Sequence, residues 1–380
     1  ICCFRSRTFQ SKTSEDDSIR SDIALVRTVP RPHLMAAVCR AKPAMGRCPP
    51  DPELRRAVAA LQAPDARRSL AQVADTFLPF AALLAAMHLA LPSAPWLLPP
   101  LVLPAAGLIV RIFVLQHDCG HGSLFRRRWP NDALGWLCSL FTLTPYAMWR
   151  RQHAGHHARW NDLDSRDSGL DIYSTCLTVA EYRALPPWRR RLYRVVQHPV
   201  PALLVLPPFV FMLLYRWPFD APRAWRRERA AVLLTNLALV ALYGGLGLWI
   251  GFAAVALVHV PPMVIAAILG VWLFSLQHRF EGVAWARRQD WNLVSASIAG
   301  SSWLRLPRVL DWFTGSIGLH HIHHLAPRIP NYRLHEARHA HQALDCATSL
   351  SLWKGLGASR WALWDEAAGR MIRFADLPTH

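Results

Sequence analysis

Four long apolar runs dominate the pattern of hydrophobic and polar positions, at 76–92, 96–115, 231–250 and 254–276. Each can cross the roughly 30 Å hydrocarbon core of a bilayer as an α-helix. The first two are joined by Pro92-Ser93-Ala94-Pro95 and the last two around Gly251, in both cases without a charge. So short a joint turns the chain straight back, and each pair reads as a helical hairpin. Two shorter runs, 132–148 and 199–215, fit a span less well; the second holds Pro199, Pro201, Pro207 and Pro208, which interrupt a helix. They are expected to be interfacial or re-entrant. The predicted fold is therefore an all-α integral membrane protein: four transmembrane helices in two hairpins, with a helical cap built from 117–228 and 277–380.

Composition strengthens this picture. Only 18% of the 380 residues are charged and 52% are hydrophobic, against about 25% charged in an average soluble domain. The formal charge is +18, but the arginines bunch beside the apolar runs: Arg126–Arg128, Arg150 and Arg151, Arg189–Arg191, Arg226 and Arg227, Arg287 and Arg288. That placement follows the positive-inside rule and anionic headgroups rather than nucleic acid. It puts the cap and both termini in the cytoplasm, and the Arg-, Ala- and Leu-heavy composition suggests a bacterial inner membrane. Eight cysteines without a Cys-x-x-Cys pair suggest neither a disulfide framework nor a thiolate metal site. Cys119 and Cys138 read as small buried apolar residues. Residues 1–60 are polar and read as a disordered extension or one outside the true frame, with Met35 or Met45 as alternative starts. Residues 61–345 form the expected membrane domain and 346–380 a cytoplasmic tail.

The chemistry is concentrated in histidines beside these runs. They fall in three clusters: His117 and His121; His153, His156 and His157; His320, His323 and His324. On a helix, positions i, i+3 and i+4 share a face, so each cluster aims its rings at one point. Eight imidazoles are too many for one ion, which points to two metals at a membrane surface. An all-nitrogen donor set suits iron, copper or zinc. One site also requires all clusters on one side of the membrane. The hairpin 231–276 supplies an even number of crossings between the second and third clusters, so 199–215 cannot be a further one.

In order and spacing, His117-Asp118-Cys119-Gly120-His121, His153-Ala154-Gly155-His156-His157 and His320-His321-Ile322-His323-His324 resemble the three histidine boxes of the membrane fatty acid desaturases. Gln277-His278-Arg279-Phe280-Glu281, Trp312-Phe313-Thr314-Gly315 and the run Pro327 to Leu334 resemble the acyl-lipid branch, most of all the bacterial and cyanobacterial omega-6 (delta-12) type. The likeness covers roughly 75–345.

The resemblance implies an oxidoreductase with a non-haem di-iron centre that uses O2 to introduce a C=C bond into a membrane-lipid acyl chain. It implies His278 as a ninth ligand beside the eight box histidines and leaves out His321. His335, His339 and His341 lie outside the boxes and read as a solvated face. Asp118, Asp164, Asp171 and Glu281 are candidates to hold the distal imidazole N–H groups. Trp149, Trp272 and Trp303 are candidates either to line an acyl tunnel or to form an interfacial belt. The stretch from His157 to Asp171, with Asp162, Asp164, Arg166 and Asp167, is richer in charge than the family pattern. No His-Pro-Gly-Gly haem signature is present, so a separate donor, ferredoxin or cytochrome b5, is expected to supply electrons. A lipid or carotenoid hydroxylase or ketolase is the sibling alternative. A histidine-rich metal transporter is the alternative of another class, although His88 and His259 are the only histidines inside the spans.

Overall fold

The computed structural model describes residues 52–166, 175–218 and 221–377. Asp167, Asp171 and residues 1–51 of the polar extension lie outside the described residues. The extension does not reach residue 60 as an unstructured arm. Helix α1, Pro52–Ala59, buries Leu54 and Val58 against Ile298, Leu334 and Ala337 of the cap. Two apolar residues one turn apart among arginines are too weak a period to read from sequence.

Among the described residues, four helices are long and apolar enough to span a membrane. Helix α2, Ala66–Ala90, starts at Asp65, whose carboxylate accepts from the backbone N–H groups of Arg67 and Arg68 at 2.8 and 3.2 Å. Its first turns carry buried Gln72 and Thr76 into the cap, so the helix starts well before the apolar run. After the Pro92–Pro95 turn, helix α3, Leu98–His121, descends through the middle of the bundle and ends at Gly122, which adopts φ 67°. Helix α4, Arg128–Thr142, packs against α3 and is too short to span. It turns at Leu143 (φ 56°) into helix α5, Tyr146–Arg159. Gly135 makes room for the buried Tyr146 ring, since a Cβ there would clash with it. The second hairpin is helix α8, Arg226–Ile250, turned at Gly251 (φ 93°), and helix α9, Phe252–His278. Leu237, Val240, Leu248 and Trp249 of α8 are 67–82% exposed, an apolar surface that only lipid would cover.

Between the hairpins, helix α6, Pro187–Gln197, is followed by a π-helical stretch, Pro201–Val205, and helix α7, Leu206–Met212. The two halves, 187–197 and 201–216, meet at a 62° bend. The run 199–215 is thus broken at its prolines, as expected, and the convergence of the histidine clusters requires it to return to the side it left.

The protein is mostly helical, as expected, and two small sheets join the helices of the cap. Strands β1 (Leu177–Thr178), β4 (Leu363–Asp365) and β5 (Arg370–Ile372) form one, in the order β1-β4-β5. Strands β2 (Trp303–Arg305) and β3 (Ser349–Ser351) pair in parallel. Residues 346–377, set apart in the sequence as a tail, contribute strands to both. Strands this short carry no legible alternation. Helix α10, Leu293–Gly300, is buried from Val294 onward, and helix α11, His320–Leu325, packs on it.

Candidate metal centre

The nine predicted histidines meet in two groups. His117, His121, His153, His157 and His323 form the first; His156, His278, His320 and His324 form the second. Within each group the facing ring nitrogens lie within 4.8 Å of one another. The division follows from helical geometry. In both H-x-x-H-H runs, the i, i+4 pair enters one group and the i+3 ring, rotated by about 60°, enters the other. His153 and His157 go to the first while His156 goes to the second; His320 and His324 go to the second while His323 crosses to the first. The α3 pair completes the first group, and His278 at the end of α9 completes the second.

The spacing of the nitrogens fits a metal. His278 and His320 Nε2 are 2.9 Å apart, His320 and His324 3.1 Å, His156 and His278 3.2 Å, and His156 and His324 3.3 Å. In the first group His157 lies 3.1 Å from His153 and 3.0 Å from His323. Nitrogens held about 2.1 Å from one ion lie about 3.0 Å apart in an octahedron and about 3.4 Å apart in a tetrahedron. Nε2 of His117 and of His121 are buried without a hydrogen-bond partner, a costly arrangement unless something accepts their lone pairs. Burial, reinforced by the neighbouring rings, holds His153, His157, His320, His323 and His324 well below the usual histidine range, in the neutral form that ligates metals.

The rings are anchored from behind. The Asp118 carboxylate, 1% exposed, lies 3.3 Å from His117 Nδ1 through Oδ1. Its Oδ2 accepts from the Asn331 backbone N–H at 2.7 Å and side-chain amide at 3.1 Å, and Gln72 in turn bonds Asn331. Asp118 therefore takes the orienting position expected of it. Asn331 was missed as its partner, because 213 residues separate them. Asp164 and Glu281 do not take such a position: Asp164 bonds Arg287 at 2.6 Å and the Arg288 N–H at 2.9 Å, and Glu281 is exposed. Asp171 lies outside the described residues. The charge-rich stretch after the second box has its own structural use. Asp162 pairs with Arg288 at 3.0 Å and Arg166 with Glu181 at 2.5 Å, tying the cap together.

Trp149 stacks on His153, with centroids 4.6 Å apart and planes at 15°, and lines a cavity beside the histidines. Trp272 instead donates to the Gly355 carbonyl at 3.3 Å, and Trp303 lies under the Arg338 guanidinium. His321 is buried against the Ser302 and Leu344 backbone and joins neither group. His335 and His339 are exposed, and His335 pairs with Asp311 at 2.8 Å. Cys119 and Cys138 are buried in the core. Arg111 of α3 donates to Thr76 at 2.9 Å and Asp75 at 3.1 Å and also bonds the Trp312 carbonyl. It joins α2 and α3 to the cap beside the site.

The cavity has a volume of about 210 Å³ and is mostly apolar, with His117, His153, His156 and His320 at one end. Its lining on α9 runs from Met263 to Gln277, about 21 Å of helix, and on α3 from Ile109 to His117, about 12 Å. It therefore extends from the histidines into the membrane. His88 and His259 also meet, with Nε2 atoms 3.2 Å apart. They lie about 28 Å along α9 from His278 and form a pair, with no third ligand among the described residues.

Nine converging imidazoles at one end of an apolar cavity, among helices of membrane-spanning length, define the class: a helical membrane protein with a candidate metal centre. The sequence profile of the fatty acid desaturase family matches residues 53–354, and the chain belongs to that family. It is 38% identical over 322 residues to a fatty acid desaturase of Bacillus subtilis, covering 85% of this chain and 90% of the relative. It is 27% identical over 273 residues to an sn-1 oleoyl-lipid 12-desaturase of Synechocystis, covering 66% and 69%. An sn-1 acyl-lipid omega-3 desaturase (ferredoxin) of Synechocystis is 28% identical over 240 residues, covering 60% and 63%.

Proposed function

We propose that this protein is an O2-dependent acyl-lipid desaturase that holds two iron ions in its two histidine groups. One observation carries the reading: nine imidazoles, seven of them buried, converge in two groups at one end of an apolar cavity, and four of them line it. Removing hydrogen from an unactivated CH2–CH2 needs a redox-active metal, which zinc is not, and the irons would supply O2 activation there. The balance is one CH2–CH2 unit, O2, two electrons and two protons in, one CH=CH unit and two waters out.

The chain's own residues do the rest. Asp118, fixed by Asn331, accepts from His117 Nδ1–H and so directs Nε2 to the metal. Trp149 fixes the His153 ring by stacking and, with Phe113 and Phe274, keeps water from the reacting carbons. An extended chain advances about 1.25 Å per carbon. The 12 to 21 Å of lined helix thus seats about 10 to 17 carbons, the length of a membrane acyl chain. Basic blocks on the histidine side support a cytoplasmic cap and an inner-membrane address. The Arg-rich cap also suits an acidic electron donor; one relative is named for ferredoxin.

Expression in a host with simple lipids, followed by fatty acid methyl ester profiling, tests this. New double bonds are expected. Hydroxylated or oxo products without alkenes would overturn desaturation in favour of the sibling oxidases, and an iron-free active preparation would overturn the metal assignment.

A further inference from the structure

Helix α6 exposes a face that a soluble protein would cover. Trp188, Leu192, Val195 and Val196 are 61, 54, 57 and 39% exposed, and their i, i+4, i+7, i+8 spacing makes one continuous stripe. At about 100° per residue, Arg189 and Arg191 fall on the two margins of that stripe, and both are exposed. The opposite face is tied inward: Tyr193 donates to the Ala362 carbonyl at 3.0 Å, and Gln197 accepts from Arg279 at 2.5 Å. Such a helix lies in the membrane surface, its apolar stripe among acyl chains and its flanking guanidiniums at phosphate level.

The segment that follows separates the bilayer from the cavity by the thickness of one helix. Phe209 and Leu213 are about half exposed on the outside, while Val210 and Phe211 line the cavity. The backbone of this wall is irregular: Pro201, Pro207 and Pro208 lack N–H groups, and residues 201–205 are π-helical.

We propose that α6 and α7 form a lateral portal for anionic glycerophospholipids: Arg189 and Arg191 hold the headgroup, and the acyl chain passes between α7 and α9 into the cavity. The proposal rests on the acyl-lipid reading above and names the lipid class. An acidic electron carrier would match the two arginines but not the four-residue apolar stripe between them.

The test is lipid retention, which needs no turnover. The full chain is reconstituted in nanodiscs of phosphatidylcholine with about one third phosphatidylglycerol, released gently, and its bound lipids are counted by native mass spectrometry. Phosphatidylglycerol is expected to be enriched over its bulk fraction, with about a fivefold effect for each arginine. R189E/R191E should abolish the enrichment, R189Q/R191Q should reduce it, and R226E/R227E, at the start of α8, should leave it intact. No enrichment in the parent protein, or an unchanged one in both Arg189/Arg191 variants, would overturn the proposal. So would a loss of affinity for an acidic donor with lipid retention unchanged. Enrichment without any desaturation would sink the functional reading and leave the portal standing.

Discussion

Gly270 gives the sharpest steric test of the cavity. It lines the cavity on α9, and a Cβ added there meets nothing within 4 Å. A leucine at this position therefore displaces substrate rather than protein. In the empty protein, G270L should even stabilise the helix by about 0.8 kcal/mol, because glycine is a poor helix former. Eight residues separate Gly270 from His278, about 12 Å of helix, which corresponds to about 10 carbons beyond the reacting position. A leucine side chain occupies the space of about three to four methylenes, each contributing about 0.8 kcal/mol of burial. The loss of about 2.4–3.2 kcal/mol corresponds to about a 60- to 200-fold fall in kcat/KM. It should fall only on acyl chains whose methyl end passes Gly270. Feeding C14, C16 and C18 acyl chains to a strain expressing each variant and quantifying the unsaturated products would show this as a shift toward the short chains. An unchanged C18 to C14 ratio, with thermal stability at or above that of the parent, would refute the placement of ten or more carbons beyond the reacting position along α9.

Three further outcomes follow from named contacts. D118N should weaken metal retention in the first histidine group by about 10- to 100-fold while the second group holds its ion, as chelator challenge followed by metal analysis would show. H278A removes one of four nitrogens from the second group only, and purified protein should fall from about two irons per chain to about one; retention of two would remove His278 from the ligand set. G135A drives a methyl into the Tyr146 ring, and despite the better helix propensity of alanine it should cost about 1–2 kcal/mol, visible as a lower unfolding temperature.

The two hairpins were legible because uninterrupted apolar runs have one economical explanation in a bilayer, and the proline-broken run was legible because its missing N–H groups forbid a regular span. The box histidines were legible because i, i+3, i+4 spacing places rings on one face. Their division between two groups was already implied by the same 100° step, since the i+3 ring must diverge from the i, i+4 pair. What spacing could not show was the second group's fourth member. His278 is a lone ring at a helix end, and only the resemblance singled it out. Asn331 was invisible for another reason: its contact with Asp118 is created by tertiary folding and leaves no local pattern. The acidic residues after the second box misled for the converse reason. Asp164 has the right chemistry to hold an imidazole, but Arg287 and Arg288 on the neighbouring segment claim it first. The strands of the cap, two or three residues long, are fixed by their partners rather than by their own sequence.

Anomalous scattering at the iron edge, from crystals of the protein purified with iron, bears most directly on the central claim. Two peaks are predicted: one among His117, His121, His153, His157 and His323, the other among His156, His278, His320 and His324. A single peak, or density away from these rings, would contradict the account.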